Sequence, residues 1–567
     1  MITGFLGLLC TLIFLVVGIY TNTIYNCIRR VYINDGSEGD KNENLKEYKQ
    51  APGPIPWPFI GNLALLSKFK VPLQGLTQLS EELGDIYSLT LGTRRCLVVS
   101  SLNLIREVLN QKGKFFGGRP NFLRYHKLFG GDRNNSLALS DWSSLQQKRR
   151  NLARRHCSPR NSSLLFTKMS NVACYEVCVF MNALRERLSP HGECEIKSLI
   201  QQTSANMFLQ YMCSIRFDYN DNDFKKVVEC FDEIFWDINK GYALDFLPWL
   251  APFYKKHLNT IVGWSTAIRK FIIERIISQR EHMIDVSEPE QDFADALLKN
   301  SIEDKSVSRD TIIYMLEDFI GGHSAIGNLL MAAFAHIVHN QDVAKKIQAE
   351  ADEISSHGRR IINIYDMEKM PYTMATISEV LRFSSSPIVP HVATEDTVVA
   401  GYGITKDTIV IINNYKLNRS AQYWENPDFF QPERFLENTN IEKSEMVAKR
   451  RNSEGSDSGI EFDKEDLAVF KKNSTKHRSS TQISNMSSSK RTPRLKKNIP
   501  HFLPFGIGKR TCIGQSLVRG FGFVLLANIL QRFNVSSCNL SSVETIPACI
   551  ALPPKTFSLQ FRFRNIY

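Results

Sequence analysis

Apolar and polar residues follow patterns that predict a mainly helical chain preceded by a long apolar segment. Positions 2–28 carry no charged side chain, and Arg29 and Arg30 follow directly. A helix of this length can cross a hydrocarbon core of about 30 Å. The segment is long for a cleavable leader and lacks its basic start, although a cleaved leader stays the alternative. The positive-inside rule places the rest of the chain in the cytosol, so we expect a membrane anchor at 1–28.

Residues 29–58 are expected to form a linker and a stiff hinge. Residues 31–50 are mostly polar, and four prolines fall between positions 52 and 58. Proline favours an extended backbone, so this stretch would hold the following body at a fixed attitude to the membrane. The body, 59–567, is expected to be a single folded domain.

Within the body, period-two alternation at 84–101 around a glycine-containing turn predicts a β-hairpin. The longest helical pattern, 308–340, begins at a capping Ser308 and would span roughly 48 Å. Its centre is apolar on most sides, which is typical of a buried helix. The fold class is therefore mainly α with small β-sheets around a long central helix. Further helices are predicted at 142–156, 168–188, 222–239 and 257–282.

Residues 438–499 interrupt this pattern. Segment 441–466 carries eight acids and five bases, whereas segment 467–499 carries nine bases and no acid and is rich in serine. Such a composition buries too little apolar surface to order itself. We therefore expect a disordered Ser/Lys-rich surface insertion within the domain.

Composition narrows the classes of function. Hydrophobic residues make up 43% and charged residues 23%, which is typical of a globular chain and not of a disordered one. The formal charge of +12 favours anionic partners without choosing among lipid, nucleic acid and acidic proteins. The 12 cysteines are scattered, so neither a disulfide scaffold nor a structural zinc site is expected.

The candidate chemistry lies near the C-terminus, in the string PFGIGKRTCIG at 504–514. A single cysteine, Cys512, stands in a glycine-rich loop directly after Lys509 and Arg510. Positive charge, free amide N–H groups and the start of a helix all favour a thiolate. Gly506 and Gly508 allow the loop to turn tightly and to approach a flat ligand.

The full string F-x-x-G-x-R-x-C-x-G, from Phe505 to Gly514, resembles the haem-ligand loop of cytochromes P-450. The resemblance implies the fold of that family and haem b as cofactor. It makes Cys512 the axial iron ligand and the catalytic residue, with Phe505, Gly506 and Arg510 beside the haem. The anchor and proline hinge match the microsomal members, which implies the endoplasmic reticulum membrane with a cytosolic catalytic domain.

Two further motifs extend the resemblance. E-x-x-R occurs as Glu379 and Arg382, and PERF supplies Arg434. In the family these three residues form a buried ion-pair network beneath the haem loop, a role that suits a bidentate carboxylate–guanidinium pair. His391 follows a P-x-x-P turn, where related chains carry a residue that binds a haem propionate.

The family's W-x-x-x-R helix, which also serves the propionates, is altered here. Trp142 is followed four residues later by Gln146. Shifting the frame puts Leu145 at the tryptophan position and Arg149 at the arginine position. We therefore expect Arg149 to bind a propionate, with Arg150 as the rival.

The oxygen-activating helix also departs from the family pattern A/G-G-x-D/E-T. The aligned residues read GGHSA, so Ser324 stands at the acid position and Ala325 at the threonine position. Gly321, Gly322 and Ala325 would share one small, apolar helical face toward the haem. His323 lies off that face and is expected to be packed or hydrogen-bonded. The usual acid–threonine proton relay is thus in doubt, and water or a substrate hydroxyl could replace it.

The stretches LEDFIGGHSAIGN and DWSSLQQKRRNLARRH resemble the Spook/Spookier group of insect cytochromes P-450, part of the Halloween set in ecdysteroid synthesis. The resemblance implies a monooxygenase or oxidase acting on a sterol, at an early "black box" step from 7-dehydrocholesterol. A non-catalytic haem sensor or carrier and a conventional fatty-acid or xenobiotic hydroxylase remain as alternatives. Expected partners are an NADPH-dependent reductase, molecular oxygen and the membrane, with no nucleic acid.

Overall fold

The computed structural model describes residues 17–18, 21, 31–34, 45–69, 71–188, 193–304, 307–437 and 493–565. Most of the expected anchor at 1–28, and residues 438–492 of the expected insertion, lie outside the described residues. The described body is mainly helical with small sheets, which confirms the fold class predicted from periodicity.

The helices begin and end close to the predicted bounds. The α-helices are α1 Leu63–Leu66, α2 Pro72–Leu83, α3 Leu102–Arg106, α4 Ser144–Cys157, α5 Leu164–Arg187, α6 Lys197–Cys213, α7 Asn222–Ile238, α8 Ala243–Phe246, α9 Lys255–Ile272, α10 Ser278–Glu281, α11 Phe293–Glu303, α12 Arg309–Ile320, α13 His323–His339, α14 Gln341–Ile354, α15 Pro371–Ser384, α16 Asn414–Arg419 and α17 Gln515–Arg532. Short 3-10 turns include Arg133–Asn135, Pro248–Tyr254, Pro432–Phe435 and Gly508–Arg510, and π turns lie at Glu107–Gln111 and Ile273–Ile277.

Serine side chains fix several helix starts. Ser143, Ser163 and Ser308 precede α4, α5 and α12, and each hydroxyl accepts a hydrogen bond from the backbone N–H three residues on. Such a cap satisfies one of the N–H groups that a helix leaves free at its start and is typically worth about 1 kcal/mol. The predicted cap at Ser308 is confirmed.

The strands form small sheets at the side of the helical body. They are β1 Val31–Asn34, β2 Leu45–Tyr48, β3 Ile86–Leu91, β4 Arg94–Val99, β5 Glu193–Cys194, β6 His391–Val392, β7 Thr397–Val399, β8 Tyr402–Ile404, β9 Ile409–Ile412, β10 Phe533–Ser536 and β11 Leu559–Phe563. The largest sheet has the order β3-β4-β9-β6, with β4 and β9 parallel and the other pairs antiparallel. The predicted hairpin at 84–101 is β3–β4.

The central helix is interrupted where one helix was predicted at 308–340. Helix α12 ends at Ile320 and α13 begins at His323, with Gly321 and Gly322 between them. Both glycines keep nearly helical dihedral angles, but the backbone N–H groups of Gly322, Ser324 and Ala325 donate to carbonyls three residues back instead of four. The helical path therefore tightens at the glycine pair, a usual place for a helix to bend.

Helix α13 lies in the largest apolar cluster and packs against α6, α15 and α17. Its apolar side chains are buried almost all round, and Ile326 and Phe334 have no exposed surface. Burying one such side chain contributes about 2 kcal/mol. A helix held this firmly on every side is a rigid support for whatever faces its glycine pair.

The described part of the expected linker and hinge is attached to sheets. Strands β1 and β2 pair with each other within 31–48. The carbonyl of Pro52 accepts a hydrogen bond of 2.7 Å from the backbone N–H of Ser88 in β3, and a Cβ at Gly53 would overlap the Ser88 carbonyl. The proline-rich stretch thus lies along β3.

Among the described residues one helix, α5, is long and apolar enough to span a bilayer by length and composition. It packs against α6 and α17, and residues such as Phe180 and Leu184 are fully buried in the main apolar cluster. Helix α5 is accordingly a core helix of the body.

The two ends that flank residues 438–492 meet. Leu436 and Leu495 form an antiparallel bridge, the backbone N–H of Glu437 donates to the carbonyl of Arg494 over 2.8 Å, and Lys496 donates to Phe435. Residues 493–499, expected to belong to the insertion, therefore follow the body closely. The chain leaves the body and returns to it at one point.

Replacing 440–490 with a short Gly/Ser linker is expected to leave the fold stable. An eightfold shorter loop between ends already paired lowers the closure entropy cost by ~2 kcal/mol, so the denaturation midpoint should stay constant or rise. Circular dichroism against guanidinium concentration measures it. Leu436→Ala, which empties a buried site in the same bridge, should lower stability by about 2–3 kcal/mol as a sensitivity control. A fall as large as this in the linker variant would contradict the expectation.

Candidate functional site

The loop that carries Cys512 has a fixed shape. The backbone N–H of Cys512 donates to the carbonyl of Phe505 over 2.9 Å. Gly508 has φ +75°, and a Cβ there would overlap the carbonyl oxygen of Leu109, so this position requires glycine. Gly506 has φ +70° with no atom near the place of a Cβ, so the loop leaves that side clear.

Cys512 is exposed at the end of this loop, directly before α17. Protein surrounds the thiol on most sides, and this burial raises its pKa, while the backbone N–H groups of Gly514 and Gln515 and the guanidinium of Arg150 lower it. Burial outweighs them, so the loop alone does not hold a thiolate at neutral pH. A bound metal ion favours the deprotonated ligand and would therefore lower the pKa of Cys512.

A line of accessible positions interrupts the buried central helices. Between positions 311 and 335 every residue is buried except Asp318, Phe319, Gly321, Gly322 and Ala325. Spacings of three and four residues place Asp318, Gly321, Gly322 and Ala325 on one face, which we call the open stripe. The stripe is small, as the sequence predicted, but it includes the carboxylate of Asp318 two turns before Ala325.

His323 and Ser324 point away from the open stripe. His323 is fully buried, its Nδ1 lies 2.6 Å from the carbonyl oxygen of Ile320, and burial lowers its pKa to about 4. Its ring meets Phe231 edge to face. Ser324 is also fully buried. The prediction that His323 is packed and hydrogen-bonded is confirmed, and the residue is neutral at physiological pH.

Four basic side chains converge beside the Cys512 loop. Arg119, Arg150, Arg510 and His391 interact electrostatically, and burial together with the neighbouring guanidinium groups lowers the pKa of Arg119 to about 9 and that of Arg510 to about 10. The same causes lower the pKa of His391 to about 3. Sequence reasoning missed Arg119, because a single arginine in the irregular FGGRP segment belongs to no periodic pattern.

This cluster carries more positive charge than the protein around it balances. Asp141 is the acid that acts on Arg119 and Arg510, and Asp141 also pairs with Arg133 over 2.7 Å. The Nε atoms of Arg150 and Arg510 are buried without a hydrogen-bond partner. Burying cations whose charge is not balanced is costly, so the cluster fits a ligand with more than one anionic group.

The structure places Arg150, and not Arg149, at the Cys512 loop. Arg150 is buried and its Nη2 donates to the carbonyl of Thr511 over 2.6 Å. Arg149 lies one residue earlier and is turned toward the central helix, with its Nη2 3.2 Å from Thr311 Oγ1. Of the two arginines considered from the sequence, the expected Arg149 does not lie at the loop and its rival Arg150 does. The reason is the helix frame, in which adjacent residues differ by about 100° in direction.

Gln146 takes the place next to Arg150 on the same face of α4. Its Nε2 donates to the carbonyl of Leu137 over 2.5 Å, and Arg510 Nη1 reaches the same oxygen at 3.4 Å. Residues four apart on a helix share a face. Gln146 and Arg150 thus lie side by side next to the cysteine loop, one residue further along α4 than the Leu145–Arg149 pair expected from the sequence.

Glu379, Arg382 and Arg434 meet in one buried network. The carboxylate of Glu379 accepts from Nε and Nη2 of Arg382 at 2.7 and 2.8 Å and from Nε of Arg434 at 3.1 Å. Glu379 and Arg382 have no exposed surface, and Arg382 Nη1 also donates to the carbonyl of Asn418. The network joins α15 to the Pro432–Phe435 turn and stabilises the side of the body on which the chain enters the cysteine loop.

Known proteins agree with this arrangement. The chain matches the cytochrome P450 family profile over residues 51–454 and 485–561. It is 56% identical to cytochrome P450 307a1 of Drosophila melanogaster over 95% of this chain and 94% of the relative. Cytochrome P450 1A5 of Gallus gallus is 27% identical over 87% of this chain and 85% of its own length. Steroid 17-alpha-hydroxylase/17,20 lyase of Ictalurus punctatus is also 27% identical, over 86% and 85%.

Farnesoate epoxidase of Bombyx mori is similar as well, at 27% identity over 91% of this chain and 94% of its own length. The profile covers most of the chain, and the relative at 56% identity is similar along nearly its whole length. With a cysteine loop, a cation cluster and a central helix interrupted at a glycine pair, the chain belongs to the cytochrome P450 family of haem monooxygenases.

Proposed function

We propose that this chain is a haem-thiolate monooxygenase that oxidises a sterol, at an early step of ecdysteroid synthesis from 7-dehydrocholesterol. The observation that carries the reaction class is the exposed Cys512 in a glycine-rich loop of fixed shape, beside an unbalanced cluster of arginines. Iron, a flat ring and two carboxylates are the groups that such a site would hold together.

Haem b suits these residues. Cys512 is the proposed iron ligand, Gly506 leaves space for the ring, and Arg119, Arg150 and Arg510 are the proposed partners of the propionates. When bound, haem supplies the activation of molecular oxygen, which a thiolate ligand favours. The protein contributes the position of the substrate and the path of protons.

The open stripe leaves the proton supply to something other than the usual pair. Ala325 carries no hydroxyl, and Ser324 and His323 are buried away from the stripe. His323 is also neutral, because burial lowers its pKa to about 4. A hydroxyl group of the substrate, or water held by it, is the proposed source, which suits a sterol with few polar groups and one hydroxyl.

The choice of a sterol rests on resemblance. The central-helix string LEDFIGGHSAIGN is similar to the Spook/Spookier group, and steroid 17-alpha-hydroxylase/17,20 lyase is among the relatives. Cytochromes P450 1A are similar at the same level of identity, so a conventional xenobiotic hydroxylase is the second candidate. The absence of an acid–threonine pair in GGHSA weighs against it, because such hydroxylation depends on the relay.

Electrons must come from a reductase, and one face offers it a docking site. Exposed basic residues lie on α4, on the cysteine loop and on α17; they are Lys148, Arg154, Arg155, Lys509 and Arg519. Long-range attraction of an acidic partner to such a face raises the rate of association. We propose an NADPH-dependent membrane-bound reductase as that partner.

A second face is apolar and is proposed to meet the endoplasmic reticulum membrane. Trp57 and Phe59 of the proline-rich stretch are exposed, as are Trp249 at 60% and Phe253 at 82% in the turn after α8. The two stretches adjoin, since Gly92 donates to the carbonyl of Ile60 and packs against the backbone of Phe246. Exposed aromatic side chains at one face are typical of a membrane interface. An anchor at 1–28 would enter the membrane from the same side.

Cys512→Ala is expected to abolish the thiolate-haem spectrum. Removing the only proposed iron ligand from the loop leaves no sulfur to give the long-wavelength Soret band of the reduced carbon monoxide complex. Absorbance spectra of the reduced protein with carbon monoxide measure the effect. Cys538→Ala, which removes another exposed free cysteine outside the loop, is the control and should leave the band unchanged. Retention of the band in the Cys512 variant would refute the ligand assignment.

Arg150→Leu and Arg149→Leu form a matched pair on one helix. Arg150 faces the cation cluster, so its loss should lower haem occupancy about tenfold or more through a lost charge-assisted contact. Arg149 faces Thr311, so its variant should keep haem occupancy close to wild type. Haem content per protein, measured as pyridine haemochrome, tests this. Equal losses of haem in both variants, or loss in Arg149→Leu alone, would contradict the assignment of Arg150 as the residue that holds the haem.

Ser324→Asp with Ala325→Thr restores the residues of the usual relay. If the pocket relies on a substrate hydroxyl, threonine at 325 adds an unpaired hydroxyl to the open stripe at ~1–3 kcal/mol and disturbs the sterol, while the carboxylate at 324 is buried off the stripe. We expect haem to stay bound, sterol product per NADPH to fall, and hydrogen peroxide to rise. Turnover with the same reductase and 7-dehydrocholesterol measures this coupling. Equal or better coupling in the double variant would contradict the proposal.

A further inference from the structure

One segment of backbone connects the cation cluster to the central helix. We call residues 136–141, between the Arg133–Asn135 turn and α4, the wall strap. Its carbonyl groups face the cluster, where Leu137 O accepts from Gln146 and Arg510, and Ser140 O accepts from Arg510. Ala138 O accepts from Arg119 Nε over 2.9 Å. The strap therefore sets where these side chains stand.

The N–H side of the wall strap faces Asp318. Oδ2 of Asp318 accepts from the backbone N–H of Leu137 at 2.5 Å, and Oδ1 accepts from Ser136 Oγ at 2.9 Å. Ser136 Oγ in turn accepts from the backbone N–H groups of Ala138 and Leu139 at 3.1 and 3.2 Å. One carboxylate thus orders, directly or through one hydroxyl, three successive backbone N–H groups.

Asp318 stands on the open stripe, which the proposed function places over the haem. Gly321 and Ala325 follow it on the same face, one and two turns on. The remaining members of the stripe have no side-chain polar atom. Asp318 is therefore the point at which the central helix takes hold of the wall that carries the arginines.

We propose that Asp318 is a positioning residue which, as a carboxylate, ties the wall strap to the central helix and thereby holds Arg510 and Gln146 in place. The proposal rests on the proposed function only in calling the far side of the strap a haem site. The tie itself is a property of this chain with or without a ligand. Protonation removes one acceptor of the tie, so the strap should loosen as the pH falls.

The charges around Asp318 set the pH range over which the wall strap loosens. Burial raises the pKa of Asp318 to about 7, against the opposing effects of the Leu137 N–H, the Ser136 hydroxyl and the guanidinium of Arg149 on α4. On its own helix, Glu317 turns to the other side, toward Ser265 and Arg269 on α9. Beyond the strap, Arg133 is paired with Asp141. The tie is thus complete above about pH 7 and weakened below it.

Hydrogen exchange of the strap amides tests the proposal on the full-length chain. Protection of the Leu137–Leu139 amides, corrected for intrinsic exchange, should fall about fivefold between about pH 8 and about pH 6 in the wild type, the equivalent of one hydrogen bond. Asp318→Asn should show the low value at both pH values. Glu317→Gln, a matched control on the neighbouring acid, should follow the wild type.

Two further results decide the question. Ser136→Ala keeps the carboxylate and should lower protection at both pH values while retaining the pH dependence. If Asp318→Asn does not fold, this variant and the wild-type profile still carry the test. Protection independent of pH in the wild type, or an unchanged profile in Asp318→Asn, would overturn the inference. Absence of a thiolate-haem spectrum in the wild type would instead refute the proposed function and leave the exchange result standing.

Discussion

The site depends on a cluster of positive charge that the protein does not neutralise by itself. Arg119, Arg150 and Arg510 lie close together, and Arg119 and Arg510 share one acid, Asp141, with Arg133. Backbone carbonyls of the strap satisfy part of this charge. The remaining positive charge would attract an anionic cofactor. We therefore expect this region to become fully ordered when the cofactor binds.

Burial gives this cluster its strength. Desolvation of the guanidinium groups lowers the pKa of Arg119 and Arg510. Their mutual repulsion, which would be weak in water and is stronger at lower dielectric, lowers it further. The Glu379–Arg382–Arg434 network is the opposite case. There one carboxylate pairs with two guanidinium groups, so the network connects its elements rigidly and leaves no strong excess of charge for a ligand to neutralise.

Local patterns predicted the fold well, and single positions less well. The hairpin, the helix starts at Ser308 and near 222, and the cysteine loop follow from residues adjacent in sequence, because capping and periodicity are local effects. The choice between Arg149 and Arg150 depended on which neighbour the helix face meets, and with Gln146 at the motif's arginine position after Trp142 the sequence did not fix the frame. Arg119 could not be predicted either, because its irregular segment belongs to no periodic pattern. Asp318 could have been predicted, since it lies seven residues before Ala325 and so on the same helical face. The sequence analysis described that face by its small residues alone and did not include Asp318.

The meeting of the chain ends at Leu436 and Leu495 has a practical consequence. Because these two segments lie side by side, a folded domain whose own termini are adjacent can be inserted between them without distorting the body. An electron-transfer domain inserted there would be tethered at a fixed place on the surface. Its supply of electrons would then depend on effective concentration and linker length, instead of on chance encounters within a membrane.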